Sequence, residues 1–152
     1  MKLSTKGRYA IIALLDLVKN GSDRLVTLVE ISKRQKISLA YLEQLFVKLR
    51  RANIVVSVRG PGGGYKIARN TELIRISEIL SAVDETMDAM SRGAGASGGD
   101  IGSHEEDLAE KLWEQLSAHI YVFLHQTRLS DLIEKQIVPC PAVPAFVEMV
   151  DV

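Results

Sequence analysis

From Tyr9 to Val18 every position is apolar except Asp16. Ser4 or Thr5 can cap a helix ahead of this run, and Asn20-Gly21 can end it. Apolar side chains nearly all round predict a buried central helix over Ser4–Asn20. Thr27-Leu28-Val29-Glu30 has the spacing of a capping box, opening a helix to about Gln35. A short Lys36-Ile37 turn follows, and Ser38 can cap a further helix to about Ala52. In that helix Leu39, Leu42, Leu45, Phe46 and Leu49 recur with helical period and should pack inward. Ile54–Arg59 is β-branched and strand-like, and Tyr65-Lys66-Ile67-Ala68 can pair with it across Gly60-Pro61-Gly62-Gly63-Gly64. Two helices joined by a very short turn, then a two-stranded ribbon, predict a winged helix-turn-helix.

The second half reads differently. Ile76–Val83 is a short amphipathic helix. Asp88–Gly102, with five glycines and few anchors, cannot build a core and reads as a mobile loop. Leu108, Leu112, Leu116, Ile120, Phe123 and Leu124 form one stripe along Glu105–Gln126, a helix of about 33 Å at 1.5 Å per residue. A stripe of that length beyond a small domain predicts burial against a second copy of the chain. Leu129–Lys135 can be a short closing helix, and the tail around Pro139, Pro141 and Pro144 reads as extended. The expected fold is mainly α with a small β-ribbon. Its divisions are a winged-helix domain over 1–84, a flexible Gly-rich loop over 85–104, a dimerisation helix and closing helix over 105–137, and a tail over 138–152.

Charge sharpens this picture. The 152 residues hold 19 Lys and Arg against 19 Asp and Glu, yet the signs are segregated. Residues 1–70 carry 14 basic and 4 acidic side chains, and residues 71–152 carry 5 and 15. The first half can therefore attract a polyanion while the second cannot. No apolar run reaches the roughly 18 residues of a membrane span, and the N-terminus lacks the order of a signal peptide. A lone cysteine, Cys140, leaves no internal disulfide, and a cytoplasmic setting is expected.

Candidate chemistry concentrates on the second helix of the pair and on the ribbon. Tyr41, Gln44, Lys48 and Arg51 share a helix face away from the apolar one. An aromatic hydroxyl, an amide and two cations suit base edges and phosphates. At the ribbon tip, glycines let a backbone approach closely, and Arg59 brings the charge that a narrow minor groove attracts. Gly60–Lys66 fails the phosphate-loop pattern, because Tyr65 precedes the lysine and no Ser or Thr follows it. No nucleophile–base pair or metal-ligand set is visible, so neither an enzyme nor a small-molecule substrate is expected. An adaptor whose basic face takes an acidic protein is the alternative from another class.

Three strings, LSTKGRYA at the start, ISLAYLEQLF in the helix and SVRGPGGGY at the wing, resemble the Rrf-two family of bacterial winged-helix regulators, most closely its iron–sulfur cluster regulators. The resemblance covers about residues 1–135. It implies a homodimer that binds palindromic or near-palindromic promoter DNA and controls iron–sulfur cluster biogenesis genes. The DNA-facing positions that it implies are Tyr41, Glu43, Gln44 and Lys48 on the helix, with Ser57, Arg59, Gly60, Pro61 and Gly62 at the wing. Glu43 can accept from a cytosine amino group or repel wrong sequences, a candidate specificity switch. Relatives that sense nitric oxide or cysteine status make a different signal the runner-up within the same fold.

The resemblance also implies a [2Fe–2S] cluster held by three loop cysteines and one histidine, and here the chain departs from it. Residues 71–139 contain no cysteine. Ala96 stands at one ligand position, the flanking ones fall near Met90 or Ser91 and near Gly102 or Ser103, and Glu110 stands at the histidine position, with His104 nearby. Ala and Ser are poor substitutes for thiolate. The usual three-cysteine cluster is therefore not expected, no other cofactor or metal is predicted, and the regulator should be apo-like. Ala and Ser in an otherwise intact loop fit natural loss and deliberate removal of ligands equally.

Overall fold

The computed structural model describes residues 4–85 and 102–137. The loop positions Met90, Ser91 and Ala96, together with Cys140 and the proline-containing tail, lie outside the described residues. Helix α1 spans Thr5–Asn20, α2 Leu28–Gln35 and α3 Leu39–Arg51. Strands β1 (Val55–Val58) and β2 (Gly64–Ile67) follow, then a 3-10 turn at Thr71–Leu73 and α4 over Ile76–Ala82. The long helix α5 runs His104–Gln126, and α6 covers Leu129–Ile133.

The predicted caps form. The Ser4 hydroxyl accepts from the Lys6 amide at the start of α1. At α2, Thr27 Oγ1 accepts from the Glu30 amide (3.2 Å) while Glu30 Oε2 accepts from the Thr27 amide (2.8 Å). Two otherwise orphaned helix donors are thereby satisfied. The turn from α2 to α3 is tight because Lys36 adopts the left-handed conformation, φ 55° and ψ 41°, and Ser38 immediately caps α3.

The Thr27 amide, followed by the Arg24 guanidinium, holds the Glu30 carboxyl down at about 2, against an ordinary value of 4.5. A carboxyl depressed in the folded state adds stability that is present above its unfolded value and lost as pH falls through the folded one. The melting temperature of the parent chain is therefore expected to fall more steeply from pH 4.5 to pH 2 than that of Glu30→Gln. Parallel acid limbs would show that the box contributes nothing to acid stability.

One core joins α1–α4, the ribbon and the start of α6. Leu14, Leu17, Ile31, Leu42, Phe46, Leu49, Ile54, Ile79 and Leu129 are fully buried in it. Burying each such side chain stabilises by about 1.5–3 kcal/mol. Two expectations need correction. Helix α1 is not buried all round: its core face is Gly7, Ala10, Ala13, Leu14, Asp16 and Leu17, while Ile12 is exposed. Asp16 belongs to the buried face because Arg34 and Gln35 of α2 reach it, with Arg34 Nη2 2.7 Å and Gln35 Nε2 2.6 Å away. Burial pushes the Asp16 carboxyl up, but those donors and Asn20 outweigh it and hold it below its ordinary value. Leu39, expected inward, is 36% exposed. It is the first residue of α3, nearly one turn short of the core that Leu42 reaches.

Short contacts tie the junction of α5 and α6 to the segment that opens α4. The Ile76 amide donates to the Thr127 carbonyl and the Leu129 amide to the Ile74 carbonyl, each at 2.9 Å. Arg75 Nη1 donates to the His125 carbonyl (2.6 Å), and His125 Nδ1 lies 3.1 Å from Ser77 Oγ. His125 is thus a packed, hydrogen-bonded histidine. At the end of α4, Glu85 accepts from the Gly7 amide (2.9 Å), the Ser4 amide (3.2 Å) and the Ser4 hydroxyl. Its charge sits where the α1 dipole favours an anion.

Candidate nucleic-acid interface

Helix α3 buries Leu42, Leu45, Phe46 and Leu49, and this fixes which residues it presents outward. Glu43, Gln44 and Arg51 are exposed. Tyr41 is half-buried, its ring edge-on to Tyr9 with centroids 5.8 Å apart, so the phenol is braced from below. Lys48 is paired: its Nζ lies 2.5 Å from Asp84 Oδ2, just past the end of α4. The face read from the sequence is therefore present but unequal. Gln44 and Arg51 project freely, Tyr41 is partly packed, and a phosphate must compete with Asp84 for Lys48. The Lys48 ammonium in turn holds the Asp84 carboxyl below its ordinary value.

The wing is an antiparallel pair in the register Val55↔Ile67, Val56↔Lys66, Ser57↔Tyr65 and Val58↔Gly64. Val26 adds an isolated antiparallel bridge to Tyr65, which docks the ribbon against the segment before α2. The tip closes through a bond from the Gly63 amide to the Gly60 carbonyl, 2.9 Å, around Pro61-Gly62. Gly62 has φ +72° and Gly60 φ +101°. Proline followed by a residue at positive φ is the signature of a type II turn, and any side chain at Gly62 would be strained. Arg59, Gly60, Pro61 and Gly62 are all exposed at this tip. Phe46 of α3 meets Tyr65 of β2 edge-on, centroids 4.9 Å apart, so helix and wing are packed as one unit.

The sequence reading missed Arg50. It singled out Arg51 by period, yet Arg50 is the cation that turns towards the wing, with Nη1 3.4 Å from Ser57 Oγ. Only the fold brings these two residues together, and periodicity along α3 carries no signal for it.

The start of α5 bears on the cluster question. Ser103 caps the helix, accepting from the Glu106 amide at 3.2 Å, while Glu106 accepts from the Ser103 amide. Asp107 pairs with Lys111 at 2.7 Å. These acidic residues serve the helix terminus, and no group of three His, Cys, Asp or Glu side chains among the described residues could hold a metal ion. His104 and Glu110 are exposed on α5, and Gly102 is exposed just before it. A three-thiolate, one-imidazole set does not fit a chain with one cysteine. No helix among the described residues is long and apolar enough to cross a membrane.

A helix-turn-helix whose second helix packs against a two-stranded ribbon defines a winged-helix DNA-binding protein. Residues 3–135 match the Rrf2 profile, described as an iron-dependent transcriptional regulator. The chain belongs to the Rrf2 (Rrf-two) family and is a helix-turn-helix transcriptional regulator, a class that binds promoter DNA. It is 66% identical to the HTH-type transcriptional regulator IscR of Cereibacter sphaeroides, across 99% of each chain. Among solved structures it resembles IscR of T. potens, at 31% identity and TM-score 0.68, covering 92% of this chain and 94% of that one. It also resembles CymR, the global cysteine regulator of B. subtilis, at 29% identity and TM-score 0.71, covering 89% and 98%.

Proposed function

We propose that the chain works as a cytoplasmic homodimer that binds two-fold-related promoter half-sites and regulates iron–sulfur cluster biogenesis genes without the usual three-cysteine cluster. Tyr41, Glu43, Gln44, Lys48 and Arg51 of α3 read the major groove and its flanking phosphates. Ser57, Arg59, Gly60, Pro61 and Gly62 supply the groove and backbone contacts of the wing. Residues 1–84 form the DNA-binding unit, 105–137 the dimerisation unit, 85–104 the loop between them and 138–152 an accessory tail. The observation that carries the reading is the packing of α3 and the wing as one exposed, basic unit through Phe46 and Tyr65. The apolar stripe of α5 supports the dimer: Leu108, Leu112, Leu116 and Phe123 are each more than 40% exposed in the protomer. Exposed apolar surface of that extent marks an interaction site.

Arg59→Ala tests the wing. It is expected to weaken operator binding and to flatten the salt dependence by roughly one phosphate's worth per half-site. Unchanged affinity and slope would remove Arg59 from the interface. A second reading, sensing of cysteine status, is favoured by the missing loop cysteines and the structural likeness to the cysteine regulator of B. subtilis. In that case DNA affinity would respond to a cysteine-pathway metabolite and be indifferent to iron.

A further inference from the structure

A concave pocket of about 430 Å³ opens at the base of the wing, between the end of α3 and the start of α2. Its walls include Thr27, Arg50, Ser57, Arg59, Gly60 and Gly63. Two arginines and three hydroxyl-bearing residues, Thr27, Ser57 and Tyr65, belong to the lining, and none of its lining residues is acidic. The Arg50–Ser57 contact holds the Arg50 guanidinium over the ribbon, away from the outward face of α3. The three wing glycines of the lining, Gly60, Gly63 and Gly64, add no side chains that would keep a ligand's backbone at a distance.

The place of this pocket matters as much as its lining. Major and minor grooves of a duplex are separated by a sugar–phosphate ridge. A protein with a helix in one groove and a wing in the next must straddle that ridge, and the surface between the two elements must be concave and cationic to receive it. A planar guanidinium presents paired N–H donors that match two non-bridging phosphate oxygens, and Ser57 can donate a further bond.

We infer that this pocket seats one backbone phosphate of duplex DNA in each half-site, with Arg50 as its principal cation and Ser57 holding the guanidinium in place. The inference rests on the proposed reading of α3 and the wing as the DNA-contacting unit. A seated phosphate positions the protein without carrying sequence information, so Arg50 contributes to affinity equally on every duplex. That distinguishes it from Gln44 and Glu43, whose contributions depend on the base pair they meet.

The test compares the parent chain with Arg50→Gln and Arg50→Lys on a preferred duplex and on a scrambled one, each across a salt series. Arg50→Gln is expected to lose on the order of ten-fold affinity per half-site on both duplexes, leaving their ratio unchanged. The slope of log affinity against log salt should fall by about one per half-site. Arg50→Lys should keep the slope and recover part of the affinity, because the charge remains while the fork is lost. A second arm replaces single phosphates of the duplex by uncharged methylphosphonates. One position per half-site should weaken the parent chain and leave Arg50→Gln unaffected. Normal affinity and slope for Arg50→Gln beside a parent chain that prefers its duplex would overturn the phosphate seat and leave the DNA-binding reading intact. A parent chain with no affinity for either duplex would overturn both.

Discussion

A Leu112→Asp, Leu116→Asp variant is expected to be monomeric at micromolar concentration and to bind a two-half-site operator at least about 100-fold more weakly than the parent chain. Both leucines lie on the apolar stripe of α5, 60% and 41% exposed in the protomer. Neither belongs to the core, so the winged-helix body should keep its melting transition. Two carboxylates in the centre of an apolar helix pairing would be desolvated without partners, which association cannot repay. Loss of pairing removes the linkage between two half-site contacts, and linked binding typically exceeds single-site affinity by about 10²–10⁴. Sedimentation equilibrium and binding to one isolated half-site check the two parts separately. A variant that stays dimeric would place the subunit contact elsewhere. A variant that loses its isolated half-site binding as well would show that α5 supports the DNA-binding unit itself.

Phe46→Ala is expected to lower folding stability by about 3–5 kcal/mol, a large share of the roughly 5–15 kcal/mol that a domain of this kind has. Phe46 is fully buried in α3 and edge-on to Tyr65 of β2. Its removal leaves a cavity where recognition helix and wing meet, so surviving folded molecules should also hold the wing less firmly. Urea unfolding should show the midpoint displaced without a large change in slope, and the wing amides should exchange faster with solvent. A stability loss below about 1.5 kcal/mol would mean that the surrounding side chains collapse into the space and that helix and wing are aligned by other contacts.

Much of this architecture could be read directly from the chain. Ser4, the Thr27–Glu30 box and Ser38 mark helix starts because capping is a matter of local spacing. Period alone located Leu42, Leu45, Phe46 and Leu49 on the buried face of α3. The glycines around Pro61 marked the tip of the ribbon, while the positive φ at Gly60 and Gly62 became visible only in the fold. What escaped the reading has one physical character: it depends on residues distant in sequence that the fold brings together. Asp84 meets Lys48 across 36 positions and Glu85 meets Ser4 across 81. Neither acidic residue has any local pattern that points to its partner. Asp16 looked like an interruption of an apolar helix until Arg34 and Gln35 arrived from α2 to satisfy it. Arg50 and Arg51 are neighbours on one helix, and only the position of β1 distinguishes the one that faces the wing. Leu39 failed in the opposite direction, because period continues to the first residue of a helix while the core does not.

The exposed leucines of α5 and the basic α3–wing unit together carry the proposal that two copies of this chain read two related half-sites on duplex DNA. The most direct measurement is selection of the purified full chain against a random-sequence duplex library, followed by titration of the enriched duplex and its scrambled counterpart at two salt concentrations. The account predicts enrichment of a two-fold-symmetric motif whose half-sites lie about one helical turn apart, a steep salt dependence on both duplexes and a preference for the enriched one. Binding that depends on salt but not on sequence, with no symmetric motif recovered, would contradict it and point to an acidic protein as the ligand of the basic face.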